Sequence, residues 1–352
     1  MPATHGGCVR PCHLEGRATV RAVVVSGPGQ VSVDSVADPT PGPDDVIVQV
    51  DSCGVCGTDL HIVAGDYPAS TLPVIPGHEI AGTVVASGSN ISKASEGRFV
   101  VVDPVVACGY CTDCRGGQPN LCRNWQGYGV TLPGGFAEYI RVRAVDVEAL
   151  PPSIPRHWAT LTEPLSCVLH AMDRMGPVRP GDSVLVIGAG PTGLMISQLL
   201  TAAGALVDVV ERVEDRRLRA LNFGARRVGA DTSELDQPEG WHIVIEATGS
   251  ISGFEAGLRS VRRAGRFHVF GVAGPDALAT VSPYDIFARE LTISGSQSLQ
   301  HTLHRAVGVL AAGLLDGNAF VTNRVDITDA ERAFEVVRRG EGVKTQLVPN
   351  DG

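Results

Sequence analysis

From Arg21 to Val25, and again from Val46 to Val50, apolar residues recur in short strand-length runs separated by turn-forming material between Asp38 and Asp45. A further β-rich stretch covers Ile80–Val106, and Gly134–Ile140 leads into another strand. The first 150 residues therefore read as mostly β, with loops that carry cysteines. The first 19 residues read as a loose, disordered extension.

The rhythm changes after Pro151-Pro152. Trp158–Met175 has helical spacing, and Asp182–Ile187 is an apolar run short enough for a buried parallel strand. Strands are expected at Leu206–Val210, His242–Ala247, Arg266–Phe270 and Leu291–Ser294, separated by segments of helical length. Such alternation predicts a doubly wound parallel sheet and places the chain in the α/β class. His304–Leu315 and Asp329–Arg339 again have helical spacing and are expected to return to the first domain.

At 352 residues, two domains are the natural expectation. A hydrophobic content of 43%, 19% charged residues and 42 glycines describe a globular chain rich in tight turns. The net charge of −9 argues against a nucleic-acid partner, because binding a phosphate backbone needs clustered Lys and Arg. The short basic group Arg216, Arg217 and Arg219 reads most simply as a solvated helix face. Glycines and Pro191 break the apolar run Val184–Val210, so no membrane span is expected. The N-terminus lacks the apolar stretch of a secretory signal, which predicts a cytoplasmic protein. Nine cysteines in such a compartment favour metal binding over disulfides.

Three groups of residues carry candidate chemistry. Cys108, Cys111, Cys114 and Cys122 fall at short loop spacings that suit a closed, structural tetrahedral zinc site. Cys53 to His61, with Pro76-Gly77-His78-Glu79 farther on, unites a thiol, an imidazole and a carboxylate. Unlike ligands that leave a position open are what a catalytic zinc requires, although a lone His78 would more often be a satisfied turn or core residue. Gly188-Ala-Gly190-Pro191-Thr192-Gly193 follows an apolar strand and opens a helix, Leu194–Ala203. Glycine backbone at a helix N-terminus can approach a pyrophosphate closely, so a dinucleotide is expected there. Beyond the second strand, Glu211 would favour the ribose hydroxyls of NAD, whereas Arg212, with Arg217 nearby, would favour the 2′-phosphate of NADP. Both cofactors stay open.

Taken in order, GVCGTDLH, PGHEIAGTVV, the four cysteines, GGFAEY, TEPLSCVLHA and GAGPTG resemble the zinc-containing medium-chain dehydrogenase/reductase family, particularly its polyol (sorbitol-like) and threonine dehydrogenases. The resemblance covers residues 20 to 350. It implies a β-rich GroES-like catalytic domain over 20–155 and 298–352, with a Rossmann domain over 156–297. It implies two zinc ions per chain: a catalytic one on Cys56, His78 and Glu79 with Glu163 nearby, and a structural one on the four cysteines. Thr58 and His61 would relay a proton from the substrate hydroxyl towards solvent. Cys53 and Cys167 read as core.

The implied activity is hydride transfer between NAD or NADP and a secondary hydroxyl or ketone of a small polar polyol, sugar or cyclitol. A threonine-like amino-alcohol dehydrogenase, a simple secondary alcohol dehydrogenase and a nicotinamide-binding sensor are the alternatives. A homodimer or homotetramer is implied by the resemblance alone. Ser95–Phe99 departs from the family's usual turn and leaves the local strand geometry open.

Overall fold

A computed structural model describes residues 18–349. The expected N-terminal extension lies outside the described residues up to residue 17, and the first strand begins at Thr19. That strand, Thr19–Gly27, forms a hairpin with Gln30–Ala37. The second arm alternates too weakly to be recognised in the sequence, because almost all of its side chains face solvent.

The first large sheet is built around Asp45–Val55, a strand whose apolar residues are almost all buried. It pairs antiparallel with Glu79–Ser87 on one edge, and with Lys344–Val348 and Tyr139–Arg143 elsewhere along its length. Phe99–Val102 and Val147–Ala149 extend the sheet beyond Glu79–Ser87. Before Phe99, Gly97 turns in the left-handed region at φ 82° and donates to Val84 O at 2.8 Å, so the atypical Ser95–Phe99 stretch still enters the sheet in register.

Strand Val321–Asp326 brings the chain back to this sheet, pairing parallel with Lys344–Val348. Helix Ala330–Arg339 then covers it through Ala333 and Phe334, whose ring meets that of Phe136 at 5.9 Å. An earlier helix, Leu303–Ala311, packs elsewhere. Leu303, Ala306, Val307 and Leu310 share a core with helix Thr162–Met175 and the second sheet.

That second sheet is six-stranded and wholly parallel, in the spatial order 227–229, 206–210, 183–187, 241–246, 261–269, 292–295. Ser183–Ile187 sits in the middle and every residue is buried, as its unbroken apolar run requires. The strand order reverses beside it, and ligands of doubly wound sheets bind at this switch point, outside the carboxyl ends of the strands. The short strand Arg227–Gly229 has too little sequence to announce itself.

The sheet leads directly into the glycine turn. Gly188 has φ 104°, and a Cβ on Gly193 would lie 2.0 Å from Gly188 O. The turn can therefore close only with glycine at both positions. Helix Pro191–Ala202 follows, with proline in its first turn, where a missing N–H costs nothing.

Candidate active site and zinc centres

The four cysteine sulfurs of residues 108–122 lie within 4.8 Å of one another. Cys108 Sγ and Cys114 Sγ are 4.0 Å apart, and Cys111 Sγ and Cys122 Sγ 3.9 Å apart. A tetrahedron with metal–sulfur distances of about 2.3 Å has edges of about 3.8 Å, so these residues fit zinc as they stand. Backbone N–H groups of Cys108 and Asn124 point at Cys122 Sγ, and that of Cys114 at Cys111 Sγ. Hydrogen bonds from the Cys114 and Arg123 backbone lower the Cys111 thiol below its ordinary range, which favours the thiolate a metal needs.

The second centre is assembled from three elements. Cys56 caps helix Gly57–Ala64 where strand Asp45–Val55 ends. Asp59, fully buried, ties this corner together: its Oδ2 accepts from Cys56 N at 2.8 Å and its Oδ1 from Gly77 N at 3.1 Å. The same Oδ1 lies 3.5 Å from His78 Nδ1. Glu79 opens the next strand opposite Gly54, where a Cβ would stand 1.9 Å from Glu79 Oε2, so glycine leaves the carboxylate its room. Ligand atoms of Cys56, His78 and Glu79 come within 4.8 Å of one another. Glu79 Oε1 pairs with Lys344 Nζ, whereas Oε2 is buried with no partner. A buried, unpaired carboxylate oxygen beside a thiol and an imidazole fits a divalent cation.

Glu163 lies in the first turn of helix Thr162–Met175, where burial pushes its carboxyl up to about 7. Cys167 packs against the core, as expected, and also lines the cleft, where it donates to Glu163 Oε1 at 3.4 Å. One helical turn separates the two residues, so they share a face. Cys53 is buried among apolar side chains, as expected.

A cleft of about 560 Å³ runs between the two sheets. Cys56, Thr58, His78, Glu79 and Glu163 line one end, and Ala189, Gly190, Pro191 and Thr192 the other. Thr58 Oγ1 is 4.0 Å from Cys56 Sγ. His61, one turn along the same helix, does not line the cleft; its ring is 60% exposed and meets Asp66 Oδ1 at 2.9 Å. Beyond the second parallel strand, the Glu211 carboxylate accepts from Ala189 N at 3.0 Å and Val213 N at 2.9 Å, beside the glycine turn. Arg212 is exposed, and Arg217 donates to the carbonyls of both residues.

The basic helix differs from its sequence reading as a solvated face. Arg216 lines the cleft against Gly340, and Arg219 Nη1 donates to Gly342 O, so the helix docks on the turn before the last strand. Sequence reasoning also passed over Lys344 and Asp59. For Asp59 a signal was available, since it stands three residues after Cys56, the spacing of a helix cap; the strand Lys344–Val348 begins with three polar residues, and nothing in it announces that Lys344 is buried.

The alcohol dehydrogenase GroES-like domain profile matches residues 42–152, and the zinc-binding dehydrogenase profile matches residues 191–312. D-arabinitol dehydrogenase 1 of Uromyces fabae is 35% identical, over 95% of this chain and 98% of its own. D-altritol 5-dehydrogenase of Agrobacterium fabrum (strain C58 / ATCC 33970) is 38% identical over 78% of this chain and 82% of its own. Among solved structures, a zinc-binding dehydrogenase of Sinorhizobium meliloti 1021 bound to NADP superposes with a TM-score of 0.89 at 32% identity, covering 95% of this chain and 100% of that one. With two zinc-ligand clusters, a GroES-like half and a nucleotide-binding half on one cleft, the chain belongs to the zinc-binding alcohol dehydrogenase family.

Proposed function

We propose that this protein oxidises a secondary hydroxyl of a small polyol, sugar or cyclitol with NAD or NADP, or reduces the matching ketone. The observation that carries the reading is one cleft that joins a Cys–His–Glu cluster to a glycine turn at a helix N-terminus. The two relatives named above, acting on D-arabinitol and D-altritol, support a polyhydroxylated substrate over a simple alcohol.

In this reading Cys56, His78 and Glu79 hold the catalytic zinc, and the four cysteines the structural one. The Nδ1 side of His78 faces Asp59, which leaves Nε2 for the metal and fixes the ring's orientation. When bound, zinc supplies Lewis-acid polarisation of the hydroxyl, and the nicotinamide supplies the hydride acceptor. Thr58 Oγ1 would accept the hydroxyl proton while releasing its own towards the cofactor ribose, and His61, beside Asp66, would pass that proton to solvent. Glu163 keeps a carboxyl next to the metal triad. Gly188, Gly190, Pro191, Thr192 and Gly193 receive the pyrophosphate, while Glu211, Arg212 and Arg217 surround the adenosine ribose.

Residues 20–155 with 298–352 form the catalytic domain in this reading, and 156–297 the nucleotide domain. A homo-oligomer in the cytoplasm, where the zinc-binding thiols stay reduced, completes it. Among the described residues no helix is long and apolar enough to cross a membrane.

The test is nicotinamide reduction by zinc-loaded protein across polyols, cyclitols, sugars, L-threonine and simple alcohols. Turnover should be greatest with a polyhydroxylated compound, and Cys56→Ser should remove one of two zinc ions together with activity. A fully active Cys56→Ser variant would sink the reading.

A further inference from the structure

The four-cysteine lobe touches the wall of the cleft through a second set of contacts. Asn120 belongs to the helical turn Pro119–Leu121, two residues before Cys122, and is 4% exposed. Its Nδ2 donates to Gln297 O at 2.9 Å. In the opposite sense, Gln300 Nε2 donates to Gly117 O, back on the lobe. Both bonds bridge about 180 residues of sequence and tie the lobe to the segment that follows strand Thr292–Gly295.

The segment they grip leaves the last parallel strand and forms part of the cleft: Ser296, Gln297 and Ser298 all line it. It is a strained piece of chain. Ser298 and His301, neither of them glycine, adopt φ of 54° and 53°. Such residues persist where surrounding contacts over-determine them, and they cluster at ligand-binding positions. The contacts here are the two bonds from the lobe, the Ser296 Oγ contact with His268 Nε2 at 3.0 Å and the burial of Leu299. Because the peptide plane is trans, turning the Gln297 carbonyl towards Asn120 directs the Ser298 N–H away from the lobe.

A dinucleotide with its pyrophosphate on Gly190 and its reactive ring near Cys56 has to pass this segment, since both ends share the cleft with residues 296–298. We propose that Asn120 is a positioning residue for the nicotinamide half of the cofactor, acting through the Gln297 carbonyl, so that the four-cysteine lobe sets cofactor affinity. This inference rests on the reading that the cleft takes NAD or NADP. Asn120 reaches the cofactor only through the segment it holds.

The test compares wild type with Asn120→Ala and Gln300→Ala by zinc content, by titration of NADH and NADPH followed by nicotinamide fluorescence, and by steady-state kinetics. Each variant should keep two zinc ions and weaken dinucleotide binding about 5–10-fold, the worth of one neutral hydrogen bond. The KM for cofactor should rise with it, while kcat at saturating cofactor and the KM for the alcohol stay within about twofold. Should Asn120→Ala shed the lobe's zinc, Gln300→Ala decides, because its side chain lies outside the lobe. Wild-type affinity in a Gln300→Ala variant that keeps both zinc ions, or a loss of thermal stability with no change in affinity, overturns the inference. Failure of the wild type to bind either dinucleotide overturns the reading beneath it instead.

Discussion

Lys344 Nζ pairs with Glu79 Oε1, joining the last strand of the described chain to the start of Glu79–Ser87, with side chains 4% and 0% exposed. Burial alone would favour a neutral amine, but the Glu79 carboxylate holds the ammonium charged, well above its ordinary range. The pair occupies Oε1 and leaves Oε2 without a partner. Replacing Lys344 by Met would strand a buried carboxylate, a loss that costs about 3–5 kcal/mol where one partner of a buried pair is removed. Urea unfolding of zinc-free wild type and zinc-free Lys344→Met should show that drop, because a metal on Glu79 would itself supply the missing counter-charge. Unchanged stability would mean that Glu79 finds its counter-charge elsewhere.

The lobe cysteines and Cys56 belong to separate clusters, so their metals should be lost independently. Cys111→Ser should lower zinc from two per chain to one, and the remaining ion should be the one that Cys56→Ser removes. Metal analysis of the two variants and of their combination checks this. Loss of both ions from either single variant would show that the centres are linked.

How far the sequence could be read depended on how local each feature is. The cysteines at 108–122 and the glycines at 188–193 are ligand or turn sets within a few residues, and they were legible because spacing alone constrains them. Strands such as Ser183–Ile187 were legible because burial on both faces demands an unbroken apolar run. Lys344 was not, since its role exists only once residue 79 stands beside it, 265 positions away. Arg216 looked like one more charge on a polar helix until the turn at Gly340 closed over it. Gln30–Ala37 was obscured for the reverse reason, because an exposed strand carries no alternation to detect.

His268 gives a pH dependence of stability. It is fully buried between Ser294 Oγ and Ser296 Oγ, and burial lowers its pKa to about 4, below the ordinary 6.5. Between these values the unfolded chain binds the proton and the folded one does not, so stability is lost as pH falls from about 6.5 to 4. The contribution is on the order of 3 kcal/mol. In chemical unfolding at pH 7 and pH 4.5, His268→Gln should lose less stability on acidification than wild type. Equal losses would assign the acid sensitivity to other groups.

Helix Pro283–Arg289 and the edge of the parallel sheet present an apolar face. Phe287 and Tyr284 are 79% and 76% exposed, and strand Thr292–Gly295 pairs on one side only. Exposed aromatic residues beside an unpaired strand edge mark an interaction surface, because a free ladder and an apolar patch are both costly to leave in water. A second copy meeting this surface about a two-fold axis would bury both at once, which is the commonest way for soluble chains to assemble. Wild-type protein should therefore run as a dimer or tetramer in light scattering coupled to size exclusion. Phe287→Glu should weaken that assembly at least tenfold while leaving both zinc ions in place, since the helix is remote from either cluster in sequence. A monomeric wild type would remove the argument, and an oligomer indifferent to Phe287→Glu would move the interface to another face.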